Sequence, residues 1–350
     1  MVNKDFYLLN HPVDVSEEFS KLENTYFTGN KVEEFDTNTM AGKIQWKRLI
    51  KKIRMSFNQI EMPFEESRSW EFPPDYAENP VLPFSTSFVS PRTIRIRIST
   101  RLKAQKDNNS LMLAYDEIPR DQSWKVSELP GKVVYKNEAG SLTINLDPFR
   151  LEFRDSDGRM ITQTQHLDDS KTLSKFYPVP FSFIRKAGDL RRHIAASFSL
   201  SPDEAIFGCG ESFTRLNKRG QKIVLWTIDP HSAQSKRMYK PIPFFMSSRG
   251  YGMFVHTSTP LTFDFGNTSD QASTIFSGDD ELDLFIFLGN PKEILEEYTN
   301  LTGKSPVPPL WSFGLWMSRI TYKSEEEARE VAGKLRENRI PCDVIHLDTG

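Results

Sequence analysis

Trp311-Ser-Phe-Gly-Leu-Trp-Met317, then Ser324 to Asn338, then Pro341-Cys-Asp-Val-Ile-His-Leu-Asp348 close the chain. The first and last are short apolar runs of strand type. The middle stretch is an amphipathic helix. Ser324 and Glu327 form its capping box, and Ala328, Val331, Ala332 and Leu335 fall at i, i+3, i+4 and i+7. Strand, helix and strand in that order make a βαβ unit, whose parallel strands need cover on both faces. Two strands cannot supply that cover. The pattern predicts the opening of a (β/α)8 barrel, truncated at Gly350. In such a barrel the chemistry sits at the carboxyl ends of the strands, where Asp348 falls.

Upstream, Pro306-Val-Pro-Pro309 is a stiff linker and a domain boundary. Asn290-Pro291 starts a helix with Glu293 completing a capping box. Ile294, Leu295, Tyr298 and Leu301 give its apolar stripe, and Gly303 ends it. Before that helix the pattern is β. Ile94, Ile96 and Ile98 alternate with Arg95 and Arg97, as in a half-buried strand. Lys132–Lys136 and Ser141–Leu146 flank a turn at Asn137–Gly140, and Phe149–Arg154 leads into Asp155-Ser-Asp-Gly158. Further strands are predicted at 192–200, 222–228, 251–257, 261–265 and 281–288. The fold class is mainly β, a large antiparallel β-sandwich followed by the first β/α unit of a barrel. The expected division is an irregular/β segment at 1–90 packing on the sandwich, a sandwich at 91–289, helix and linker at 290–309, and the barrel start at 310–350.

A chain of 350 residues suits about two to three domains. Its 26 Phe and 22 Pro favour β-structure with many turns over helix bundles. A formal net charge of −2, with both signs mixed, gives no footprint for nucleic acid or an anionic membrane. No stretch approaches the roughly eighteen apolar residues of a spanning helix, and the first ten residues lack a signal-peptide core. Cys209 and Cys342 are too few for a disulfide framework and read as buried thiols in a reducing compartment. The expectation is a soluble cytoplasmic protein. Its oligomeric state stays open; sandwich edges could pair into a homo-oligomer.

Most chemistry-bearing motifs are missing. Gly208-Cys-Gly210 lacks the third glycine of a dinucleotide loop and has no Walker lysine, so it reads as a tight turn. Gly210-Glu-Ser212 is no nucleophile elbow. His346 and Asp348 share a strand face, but no third metal ligand is visible. No cofactor and no metal are expected. Asp348 remains, a lone carboxylate better placed for a substrate hydroxyl than for acid catalysis. Trp226 and Asp229, ahead of a polar loop from Pro230 to Lys240, form a second candidate. An indole stacks on the apolar face of a pyranose while a carboxylate accepts from its hydroxyls. A Trp packed in a sandwich corner beside a turn-forming Asp fits these residues equally well.

From about residue 145 onward the order of motifs resembles glycoside hydrolase family 31. Phe207-Gly-Cys-Gly-Glu-Ser-Phe-Thr-Arg-Leu-Asn-Lys-Arg-Gly-Gln221 matches the family phrase F-G-x-G-E-x-F-x-x-L-x-K-R-G-Q. Trp226 and Asp229, Tyr239, Ile242-Pro-Phe-Phe245, Ser248-Arg-Gly-Tyr-Gly252 and Pro308 to Trp316 follow in register. Pro148-Phe-Arg-Leu-Glu-Phe153 resembles an earlier hairpin of the family. The resemblance implies a galactose-mutarotase-like sandwich and a retaining hydrolase of terminal α-linked glycosyl residues. Gly314–Arg319 and Ile340–Asp348 look most like its α-xylosidase and α-glucosidase branch. Such enzymes use two carboxylates about 5 Å apart, which in this family lie on later barrel strands. No catalytic residue is therefore assigned here. The resemblance gives Asp348 to the subsite holding the cleaved sugar, and the loop after Trp226 and Asp229 to the barrel mouth. It places Arg319 to Tyr322 along the same pocket. Tyr322 stands one position away from the aromatic of the α-xylosidase branch, which leaves xylose and glucose both open. The implied partner is an oligosaccharide or α-glycoside. A non-catalytic carbohydrate-binding sandwich is the alternative.

Overall fold

The computed structural model describes residues 11–21, 23–51, 54–56, 59–61, 64–66, 79–104, 110–165, 180–228 and 235–348. It divides into two compact units, Met1–Thr302 and Gly303–Gly350. Each has its own architecture.

The first unit holds an antiparallel sheet of 14 strands among the described residues. Its order starts at Ile206–Gly210 and runs through Pro241–Ser247, Tyr251–Val255, Glu281–Leu288, Thr93–Ser99 and Val81–Phe88. It continues through Ala41–Lys51, Thr25–Asp36, Ser182–Arg185, Arg192–Ser199, Ala272–Ser277 and Leu261–Phe265 to Gln221–Leu225. Three strands from the first 90 residues, Thr25–Asp36, Ala41–Lys51 and Val81–Phe88, thus lie in the middle of the sheet rather than packed outside it. A second sheet of five strands spans Lys125–Leu129 to Met160–Gln163. Phenylalanines join the two layers. Phe149 meets Phe84 at 5.5 Å and Phe181 at 5.3 Å, and Phe88 meets Tyr135 at 5.0 Å between ring centroids. Leu142, Ile144, Leu151 and Phe153 of the smaller sheet share one core with Ile96, Phe183 and Phe198 of the larger. This is the β-sandwich that the alternating pattern predicts. Each of these rings contributes about 1.5–3 kcal/mol through burial.

Local chemistry explains the turns. Asn137 Oδ1 accepts from the backbone N–H groups of Ala139 and Gly140, which closes the hairpin between Lys132–Lys136 and Gly140–Asn145. Asp155 does the same for Asp157 and Arg159 around Gly158. The strand at Thr93–Ser99 differs from expectation. On its arginine face Arg95 is buried and Arg97 half-buried, beside the buried isoleucine face. Arg95 is 5% exposed and donates to both oxygens of Asp283 at 2.7 Å, and Arg97 Nε donates to Glu281 at 2.8 Å. The next strand, Glu281–Leu288, supplies the acids that let these cations leave water.

Ile206–Gly210 is a strand and not a tight turn. It carries a bulge at Cys209, where the register to Pro241–Ser247 shifts. Cys209 has φ +71° and Gly210 φ +91°. A Cβ on Gly210 would lie 2.0 Å from the Lys240 carbonyl oxygen, so only glycine fits this crossing. Cys209 is a free thiol in the core, and burial pushes it up to about 12.

The helix α1, Pro291–Thr302, starts in the expected box: Asn290 Oδ1 accepts from Lys292 and Glu293 N–H, and Glu293 Oε2 accepts from Asn290 N–H. Ile294 and Leu301 are buried, and Tyr298 stacks on Phe244 at 4.1 Å. Leu295 faces solvent at 42% exposure instead of joining the stripe.

The second unit pairs Trp316–Arg319 in parallel with Val344–Leu347, joined by the helix α2, Glu325–Glu337. Ser324 Oγ caps that helix by accepting from Glu327 N–H. Trp311 to Phe313, expected as part of the first strand, belong instead to a 3₁₀ turn, Leu310–Phe313, after Pro309. The proline-rich lead holds it out of the pairing. Leu310, Phe313, Ile320 and Leu347 remain exposed, which fits a βα unit that opens a barrel.

Candidate functional site

In the second unit Asp348 follows the strand Val344–Leu347 directly and is exposed. Ser318 pairs with His346 and Arg319 with Leu347. Side chains alternate along a strand, so His346 and Asp348 share the Ser318 face while Arg319 projects from the other. Arg319 Nη1 donates to Glu327 Oε1 of α2 at 2.8 Å, and its guanidinium sits 5.2 Å from the Tyr322 ring centroid. Lys323 N–H also donates to Glu327, and together with Arg319 it holds that carboxyl below its usual range. Arg319 and Tyr322 therefore come together on the helix side, apart from Asp348. The Tyr322 hydroxyl is buried without a hydrogen-bond partner among the described residues.

In the first unit Trp226 comes directly after Gln221–Leu225 and is half-buried. Asp229 lies outside the described residues. The loop between them is pinned at its base: Thr227 bridges to Met238, and Ile228 N–H donates to Met238 O at 3.0 Å. Trp226 lines two clefts. One, of ≈ 890 Å³, also presents Phe213, Arg215, Lys222, Lys236 and Arg237. The other, of ≈ 640 Å³, presents Thr227, Pro241, Pro243, Thr257 and Thr259. Both volumes suit a small ligand. Phe213 and the Lys236-Arg237 pair escaped the reading by motif. Their signal was a basic dipeptide in a polar loop just after a tryptophan.

A second polar cluster lies on the same unit. His256 Nδ1 bonds Asp283 Oδ2 at 2.8 Å, and His256 Nε2 bonds Ser110 Oγ at 2.7 Å. The order imitates a serine nucleophile relay. Arg95, however, already pairs with both oxygens of this carboxylate and offsets the charge that would stabilise an imidazolium in such a relay. The cluster instead ties the segment around Met112 and Leu113 to the sheet, with Ala114 N–H donating to Leu301 O. Burial raises the Asp283 carboxyl, but the hydrogen bonds from Arg95 and His256 outweigh it and hold the group below its usual range. Among the described residues no three metal-ligating side chains converge, and no helix is long and apolar enough to cross a membrane.

Residues 83–264 match the glycosyl hydrolase 31 N-terminal galactose mutarotase-like domain, and residues 305–350 match the glycosyl hydrolases family 31 TIM-barrel domain. The chain is 34% identical over 217 residues to alpha-xylosidase XylQ of Lactiplantibacillus pentosus, which covers 60% of this chain and 27% of that protein. It is 29% identical over 246 residues to alpha-glucosidase 2 of Bacillus thermoamyloliquefaciens, covering 68% and 29% respectively. The chain thus spans under a third of the length of these relatives. A Flavobacterium johnsoniae GH31 dextranase, solved with glucose, superposes with a TM-score of 0.67 over 93% of this chain and 34% of its own, at 24% identity. That likeness shows a common fold. The first family match covers more than half of the sequence, and the chain belongs to glycosyl hydrolase family 31.

Proposed function

We propose that this chain is the N-terminal part of a retaining α-glycosidase. Its substrates are terminal, non-reducing α-linked xylosyl or glucosyl residues. The nucleophile and the acid/base belong to barrel strands after residue 350, so residues 1–350 alone are inactive on this reading. The observation that carries it is Asp348 at the carboxyl end of a parallel barrel strand, in a segment matching the family's barrel domain. The names of the α-xylosidase and α-glucosidase relatives support the substrate class.

Within this proposal Asp348 accepts hydroxyls of the cleaved sugar. Trp226 and Asp229 belong to the sandwich loop that contacts substrate, and Tyr322, its hydroxyl buried, packs behind the barrel-strand pocket with Arg319. Arg319 acts by holding Tyr322 rather than by touching sugar, because Glu327 engages it. The two free cysteines support a cytoplasmic setting.

The test is turnover of aryl α-xyloside and aryl α-glucoside by the protein with its complete barrel, with the product anomer followed by NMR. An α-anomer formed first supports two-step displacement. A β-anomer overturns the retaining mechanism. Sugar binding with no cleavage of either substrate moves the protein to the carbohydrate-binding alternative.

A further inference from the structure

The larger Trp226 cleft has an unbalanced lining. Arg215, Lys222, Lys236 and Arg237 border it, and among the described residues no Asp or Glu does. Lys222 is satisfied: its Nζ reaches Ser16 Oγ at 3.0 Å and Asp14 at 3.5 Å. Arg215, Lys236 and Arg237 form no ion pair with any described residue. On the sheet, by contrast, Arg95, Arg97 and Arg101 each meet an acid.

The backbone that carries Lys236 and Arg237 is anchored, and their side chains are exposed. Lys236 and Arg237 sit next to Met238, which is 3% exposed and bridged to Thr227. Arg237 N–H is tied to Ser235 Oγ at 3.2 Å. Like charges gathered in a concave site repel one another unless a ligand supplies the counter-charge, and low-dielectric walls focus their field. Phe213 and Trp226 supply such walls, with Phe213 70% exposed and open to a ligand. A flat aromatic beside a guanidinium suits a ring bearing an oxyanion, since Arg binds carboxylate, sulfate or phosphate in bidentate fashion.

We infer that this cleft binds an anionic saccharide, with the sugar ring on Trp226 and its acidic group held by Arg215, Lys236 and Arg237. The inference deepens the proposed function and rests on its reading of Trp226 as a sugar contact. It narrows the substrate class to glycosides carrying a carboxylate, sulfate or phosphate.

The experiment is calorimetric titration of the complete protein with methyl α-glucoside, methyl α-glucuronide, glucose 6-sulfate, glucose 6-phosphate and inorganic sulfate, at low and physiological salt. At least one charged sugar binds about tenfold or more tighter than the neutral one, the gain of a charge-assisted hydrogen bond. The comparison among the three acids identifies the group. The advantage shrinks with salt, and it is lost in the Lys236→Gln/Arg237→Gln variant, whose melting temperature reports that it folds. Equal affinities for charged and neutral sugars overturn the inference, as does an advantage that survives in the folded variant. Inorganic sulfate binding as tightly as the sulfated sugar also overturns it, because the site would then hold an anion and no saccharide. A protein that hydrolyses neutral α-glycosides but shows no charge preference refutes this inference alone. One that binds sugar acids but cleaves no α-glycoside refutes the hydrolase reading alone.

Discussion

Replacing Asp283 by Asn keeps the side chain's shape and removes its charge, which isolates what the carboxylate does. Arg95 Nε and Nη2 each donate to it at 2.7 Å, and His256 bonds it at 2.8 Å. Hydrogen bonds to charged groups contribute ~1.5–3 kcal/mol each, so the two from Arg95 amount to about 3–6 kcal/mol. Removing one partner of a buried pair costs ~3–5 kcal/mol by direct measurement in other proteins, which overlaps that range. We expect Asp283→Asn to lose about 3 kcal/mol, read as a lower urea midpoint by circular dichroism. Arg95→Leu/Asp283→Leu should recover more than half of that loss, because it strands no buried charge. Acid gives a second readout. The folded carboxyl titrates below its ordinary value of 3.8. Its stabilisation is therefore complete above that value and is lost as pH falls through the lower folded one. Wild type should lose more stability than Asp283→Asn below about pH 4. A cost under ~1 kcal/mol for Asp283→Asn, or no coupling in the double variant, would refute the ion-pair account.

Gly210→Ala should cost more than ~2 kcal/mol in urea melts, because it combines strained positive φ with a backbone clash. A neutral result would show that the bulge relaxes. Asn290→Ala should cost ~1 kcal/mol through loss of the α1 cap, and an unchanged midpoint removes the cap from the account. In the complete enzyme Asp348→Ala should lower kcat/KM roughly 10²-fold with the melting temperature held. Near-normal turnover would withdraw Asp348 from the sugar site.

What the sequence made legible was local. The caps at Asn290 and Ser324, the Asn137 turn and the βαβ order each rest on residues a few positions apart. The Arg95–Asp283 pair joins residues 188 apart in sequence, so strand alternation alone reads Arg95 as solvent-facing. Ile206–Gly210 reads as a turn because its glycines disfavour strands. It pairs anyway, since Lys240 and Phe244 approach too closely for a Cβ. Arg319 follows a barrel-type strand, which suggested the pocket, yet the acid that claims it arrives with the next helix. The Trp226 motif was visible by its phrase. The charge imbalance around it depends on Phe213, Arg215 and Arg237 meeting across the fold, which no spacing encodes.

The two thiols have separate fates. Cys209, in the core with its proton held up to about 12, is closed to alkylating reagents at neutral pH. Cys342, partly exposed beside the last strand, is not. A maleimide added to the native protein thus labels one unit and spares the other. The appearance of a second label marks the opening of the sandwich, so the first unit carries its own unfolding reporter without any engineered tag.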